Sequence, residues 1–169
     1  MYYCAECGTE LIEKELENEG YVPFCQYCQK YRFPQYNVAM SAIVYDELEE
    51  KILLIQQYGN PNHILVAGYV GRGETVEAAV VREVKEETNL DVASIQFNAS
   101  QFYEKNNVLM LNFACRVKEA AALNCNHEID QAAWFSPALA RDIIYPDSLA
   151  QRFLETWLDK QGLVDKAED

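Results

Sequence analysis

The 169-residue sequence has no apolar run near the ~20 residues that a membrane-spanning helix requires. Its start, Met1-Tyr-Tyr-Cys4, has neither the charge nor the apolar stretch of a secretory signal, so a cytoplasmic protein is expected by default. Positive charge is scarce: 14 Lys and Arg stand against 27 Asp and Glu, a net charge of −13. Long-range attraction to an anionic membrane or to nucleic acid is therefore not expected. A small phosphorylated substrate stays open, because a bound cation inverts the local field. Histidine is scarcer still, and His63 and His127 have no partner at catalytic or ligand spacing. Low-complexity tracts are missing, and no segment repeats apart from a Cys pair.

Core-forming residues are plentiful. Half the chain is hydrophobic, with eleven Tyr, seven Phe and two Trp, enough for one ordinary domain with a small appendage. Without a secretion signal, the six cysteines read as thiols or metal ligands rather than disulfides. Cys4-Ala-Glu-Cys7 and Cys25-Gln-Tyr-Cys28 can each bring two thiolates to one tetrahedral metal, so together they form a Cys4 zinc site. Gly8 supplies the tight turn after the first pair. The rival, a redox C-x2-C, is disfavoured by two pairs at ribbon spacing, and four Cys ligands leave no open position for catalysis. The zinc is expected to be structural, holding a polar stretch, Glu10 to Phe24, that would barely fold alone. Cys115 reads as a small buried hydrophobe and Cys125 as a loop thiol.

Hydrophobic patterning predicts strands over Val38–Tyr45, Lys51–Gln57, Ile64–Ala67, Val92–Gln101, Val108–Arg116 and Glu128–Phe135. Asp46–Glu50 reads as a charged turn, and Asn106-Asn107 as another. A helix capped by Thr75 runs to about Thr88, with Val80, Val81 and Val84 as its apolar stripe. A last helix covers Ser148–Lys160, with Leu149, Phe153, Leu154, Trp157 and Leu158 inward. Strands, helix, strands, then a terminal helix make an α/β (α+β) sandwich rather than repeating βαβ units.

The chemistry concentrates in Gly68-Tyr-Val-Gly-Arg-Gly-Glu74 and, seven residues on, Arg82-Glu83-Val-Lys-Glu86-Glu87-Thr-Asn-Leu90. Glu83, Glu86 and Glu87 share one helical face. Three adjacent anions repel, which a purely structural helix gains nothing from, and a hard divalent cation removes that repulsion. The bland alternative is a solvated acidic face. The spacing resembles the Nudix box, G-x5-E-x7-R-E-U-x-E-E-x-G-U, at every defined position except Asn89, which replaces a helix-closing glycine.

A Cys4 ribbon at 1–34 before a Nudix domain at 35–169 resembles the zinc-ribbon NADH pyrophosphatase family. Phe33-Pro34-Gln35, Val66-Ala67-Gly68 and Glu128, six residues before Trp134-Phe135, add to the likeness. Larger members carry a further N-terminal domain, whose substrate contacts are not expected here. The family signature S-Q-P-W-P-F-P-x-S, followed by L-M, keeps Ser100, Gln101, Leu109 and Met110, with Tyr103 at the Trp position. Its three prolines are lost, which opens the identity of the substrate rather than the reaction.

The resemblance implies an α/β/α sandwich with a mixed sheet and Mg2+- or Mn2+-dependent attack of water on a nucleotide diphosphate. Glu83 and Glu87 would be metal ligands, Glu86 a ligand or the base, Glu128 a further ligand and Ala67 a carbonyl ligand. Arg82 would hold the carboxylates rather than touch substrate. Phe33, Gln101, Tyr103 and Ala150 fall at substrate-contact positions, although Phe33 and Tyr103 suit a core equally. The implied substrate is NADH or NAD, cut to AMP and nicotinamide mononucleotide; FAD or ADP-ribose is the alternative, and a non-catalytic nucleotide sensor a third. A homodimer is expected by likeness alone.

Overall fold

The computed structural model describes residues 3–46 and 50–162, so the expected charged turn over Asp46–Glu50 lies largely outside the described residues. The chain divides into two compact units, Met1–Tyr36 and Asn37–Asp169. In the first unit, β1 (Ile12–Leu16), β2 (Gly20–Cys25) and β3 (Lys30–Tyr31) form an antiparallel sheet in that order. The polar Glu10–Phe24 stretch is thus a hairpin, turned at Asn18 and Gly20, both with positive φ. Val22, Phe24 and Cys25 are its buried residues, and Tyr31 meets the Phe24 ring edge-on with centroids 4.9 Å apart.

The second unit is a six-stranded mixed sheet between helices. Its strands are β4 (Asn37–Asp46), β5 (Lys51–Gln57), β6 (Val66–Tyr69), β7 (Val92–Tyr103), β8 (Val108–Val117) and β9 (Ile129–Phe135). The order is β7-β8-β4-β5-β9, with β6 also pairing β4. Among the described strand pairs only β4–β8 is parallel. Strand β4 is apolar on both faces because both are covered. Met40, Ala42 and Val44 pack with the helix α1 (Val76–Thr88). Ile43 on the opposite face packs with α2 (Pro137–Ile143) and α3 (Leu149–Lys160). Among the described residues no helix is long and apolar enough to cross a membrane.

Helix α1 starts where the Thr75 hydroxyl accepts the Ala78 N–H at 3.2 Å. It ends at Asn89, with φ 59° and ψ 10°, whose N–H reaches the Lys85 carbonyl. The residue replacing the box glycine does adopt the left-handed conformation that the glycine would serve. Val80 and Val84 are fully buried, but Val81 is 44% exposed, which corrects its place in the apolar stripe. At about 100° per residue Val81 turns away from the sheet, and Ala79 takes the inward position. In α3, Phe153, Leu154, Trp157 and Leu158 are buried as expected. Helix α2 was not anticipated, although its start is written in Ser136-Pro137: the serine caps the Leu139 N–H and the proline sits in the first turn. The third strand lies two residues later than expected, because Ile64 makes only an isolated bridge to Ile55.

The left-handed cap predicts a graded series at one position. Asn89→Gly is expected to stabilise the chain by up to about 1 kcal/mol and Asn89→Ala to destabilise it by about 1 kcal/mol, by urea midpoints with unchanged slope.

Candidate functional site

A cleft of about 990 Å³ opens in the second unit, and its lining residues all come from that unit. Strand β6 enters it, and Gly68 faces α1 so closely that an added Cβ would lie 2.1 Å from the Glu83 carboxyl carbon. Only glycine leaves room for that carboxylate. Ala67, Glu83, Glu86, Glu87 and Glu128, the residue before β9, all line the cleft. Gln101, Tyr103 and Ala150 line it too. Phe33 is not among these residues; it belongs to the first unit and is 55% exposed.

Arg82 organises the carboxylate face. Its Nε and Nη2 donate to the two oxygens of Glu74 at 2.8 and 3.0 Å. Its Nη1 donates to Glu83 at 2.8 Å and to Glu86 at 3.1 Å, and Nη2 reaches the Tyr69 carbonyl at 3.2 Å. All five N–H groups of the guanidinium are thereby engaged. Hydrogen bonds from Arg82, and then from the Gly71 N–H, hold the Glu74 carboxyl down at about 2. Arg82 is a positioning residue in this geometry.

Glu87 is the exception. It is buried, and its Oε2 has no hydrogen-bond partner. Burial, then the negative charges of Glu83, Glu128 and Glu86, push its carboxyl up to about 7. An orphaned buried carboxylate oxygen facing three further carboxylates is a hard-oxygen donor set that suits Mg2+ or Mn2+. Glu128 is brought there by the loop after β8: the Asn124 and Asn126 N–H groups donate to the carbonyls of Thr88 and Glu87 at 3.0 Å. The Asn126 side chain then accepts the Glu128 N–H, and the Tyr58 hydroxyl donates to Glu128 Oε2 at 3.3 Å. Sequence reasoning missed Asn126 and Tyr58. The two asparagines flanking Cys125 were the only trace of the first, beside helix-end carbonyls that need donors, and Tyr58 left none.

His63 stacks edge-on against Phe135 at 5.4 Å, which is a packing role. Cys115 is fully buried, and that burial pushes its thiol up to about 12. Cys125 is half-buried against the core.

In the first unit, Cys4, Cys7, Cys25 and Cys28 place their sulfurs all within 4.8 Å of one another. Two of the separations, 3.5 and 3.9 Å, bracket the edge of about 3.8 Å set by Zn–S bonds of about 2.3 Å in a tetrahedron. Gly8 and Gln29, each just after the second Cys of a pair, both take positive φ, and the Cys28 N–H points at the Cys25 sulfur. The four thiols fit one zinc. Metal analysis of the purified chain is expected to give about one zinc per chain, removed by Cys25→Ser; none in the wild type would refute the site.

The raised Glu87 carboxyl predicts a pH-dependent stability. Its proton is bound more tightly in the fold, so its contribution is fully present below its ordinary value near 4.5 and lost as pH rises through about 7. In EDTA, Glu87→Gln should melt higher than wild type at pH 8, by about 2–4 °C per kcal/mol of strain relieved, with the gap closing near pH 4. Thermal melts across pH check this.

The NUDIX domain model matches residues 35–156. An NAD-capped RNA hydrolase NudC of Pseudomonas aeruginosa is 27% identical over 160 residues, covering 95% of this chain and 56% of its own length. The chain therefore spans little more than half of that relative. Among solved structures, a NUDIX hydrolase from Nitrosomonas europaea is 20% identical with a TM-score of 0.69, covering 98% of this chain and 94% of its own. An ADP-ribose pyrophosphatase from Streptococcus suis is 25% identical with a TM-score of 0.61, covering 80% and 96%. With Gly68, Arg82, Glu83, Glu86 and Glu87 lining the cleft, Glu74 bound to Arg82, and the domain model covering most of its length, this chain belongs to the Nudix family.

Proposed function

We propose that this chain hydrolyses the diphosphate of a dinucleotide, NADH or NAD, to AMP and nicotinamide mononucleotide. The observation that carries the reading is the convergence of Glu83, Glu86, Glu87 and Glu128 on one cleft of about 990 Å³. Bound there, Mg2+ or Mn2+ would neutralise the diphosphate and acidify a water. The chain's own residues supply the rest. Glu83 and Glu87 would hold the cation, with Glu128 and the Ala67 carbonyl as further ligands. Glu86 is the most exposed of the three box carboxylates, so it can hold cation or accept the water's proton. Arg82 fixes Glu83 and Glu86 relative to each other, and Gly68 leaves Glu83 its space. Tyr103, 37% exposed on the cleft, and Gln101 offer a stacking face and an amide to the nucleoside.

A second reading, ADP-ribose as substrate, is favoured by the altered segment after Gln101 and by the Streptococcus suis relative. The Pseudomonas relative's name points to an NAD-capped RNA. The net charge of −13 disfavours the RNA body of such a substrate, so the free dinucleotide is proposed.

Product analysis with NADH, NAD, FAD, ADP-ribose and an NAD-capped RNA under Mg2+ decides between these, and turnover of none of them would sink the reading. Gly68→Ala is expected to lower kcat about 10–100-fold with little change in Tm, because the displaced Glu83 carboxylate can swing aside without unfolding anything.

A further inference from the structure

The cleft floor is one face of the sheet: Ala39 and Ser41 on β4, Val108 and Met110 on β8. Ser41 is the polar residue among these four, and behind it lies a buried polar chain that the proposed reaction does not use. In the parallel β4–β8 register Ser41 stands opposite Asn112, and a bulge in β7 between Phe97 and Ala99 turns Asn98 toward the same place. Asn98 and Asn112 are both buried. Burying two amides is costly unless every group is paired.

The pairing runs one way. The Lys160 ammonium, at the end of α3, can only donate, and it donates to Asn98 Oδ1 at 3.1 Å. The Phe153 carbonyl can only accept, and it takes Asn98 Nδ2 at 2.8 Å. These two contacts fix the Asn98 amide orientation. Asn98 Nδ2 must then meet Asn112 Oδ1, at 2.9 Å, which leaves Asn112 Nδ2 to face Ser41. It does so at 2.6 Å to the Ser41 hydroxyl oxygen and 3.3 Å to the Ser41 carbonyl. The hydroxyl oxygen is therefore an acceptor, and its hydrogen must point elsewhere. Among the described residues it donates to no protein group. Ser41 is only 5% exposed, and that exposure is to the cleft.

Resting on the proposed reading that a nucleotide occupies this cleft, we propose that Ser41 is a specificity-determining donor to an acceptor oxygen or nitrogen on the nucleoside part of the substrate. Lys160 acts at the far end as the group that sets the direction of the chain. A donor of fixed polarity on an otherwise apolar floor selects ligands with an acceptor there and rejects an isostere that lacks one.

The test is steady-state kinetics under Mg2+ with NADH and with ADP-ribose, on wild type and Ser41→Ala. Loss of one neutral hydrogen bond, made equally in the bound and reacting states, should raise KM about 3–10-fold with kcat within about twofold. A rise for both compounds places the acceptor on the shared ADP-ribose part; a rise for NADH alone places it on the nicotinamide. Unchanged KM for both overturns the proposal, as does a fall in kcat and Tm with KM unchanged, which is what a merely structural serine would give. If the alanine variant precipitates, Ser41→Cys, a weaker donor, should shift KM the same way. Wild-type protein that turns over neither compound refutes the pyrophosphatase reading instead. Ser41 is then judged by isothermal titration with the same two compounds, where equal Kd for wild type and variant overturns its role.

Discussion

The site depends on one guanidinium. Like charges on adjacent helical turns repel, and Glu83 and Glu86 would splay without a cation between them. Arg82 supplies it from within the same helix, and its remaining donors tie the helix back to Glu74 and to the Tyr69 carbonyl at the end of β6. The glycine-rich loop and the carboxylate face are thus tied together through one side chain. An arginine whose donors are all occupied has none left for a phosphate, so its effect on chemistry passes through the carboxylates it holds. A lysine could not replace it, because three rotatable donors on one nitrogen cannot fork among five acceptors.

The helix carboxylate that Arg82 does not reach is the one under greatest strain. Glu87 is buried on the same helix, lacks a partner for Oε2, and faces Glu83, Glu86 and Glu128. The helix stays intact because its other side is paired with the sheet through Ala79, Val80 and Val84, all fully buried. Packing on one face of α1 thereby offsets electrostatic cost on the other. Site and core are coupled through thirteen residues of one helix.

What could be read in the sequence was local. Glu83, Glu86 and Glu87 follow from helical spacing, the Asn89 cap from its neighbours' geometry, and the cysteine pairs from their turns. Each involves residues within about one turn or one hairpin of each other. Val81 was misplaced because a valine run has no inherent direction until a sheet decides which side is covered. Glu128 came from resemblance alone, since the contacts that bring it to Glu87 are set by backbone hydrogen bonds between a loop and a helix end. Ser41, Asn98, Asn112 and Lys160 were invisible for the same reason. The hydrogen bonds at the two ends of their chain span 71 and 62 residues, and the chain exists only because β4 pairs β8 in parallel and β7 bulges at Asn98.

The net charge of −13 and a polyanionic substrate fit together once the cleft is considered by its two kinds of wall. Screening limits an exposed charge to about 8–10 Å at physiological salt, so most of the acidic surface acts weakly on a molecule inside the cleft. What acts there is local: a cluster of carboxylates that holds anions only through a cation, and a floor where Ser41 offers a donor. The carboxylate wall would make binding of the proposed diphosphate conditional on metal, since a bare diphosphate would meet Glu83, Glu86, Glu87 and Glu128 directly. The floor contributes nothing to that charge balance and so is free to discriminate among nucleosides. In the proposed reading metal dependence and specificity would fall on different elements: α1, β6 and the residue before β9 would govern whether a diphosphate stays, while β4, β8 and the bulge of β7 would govern which nucleoside it carries.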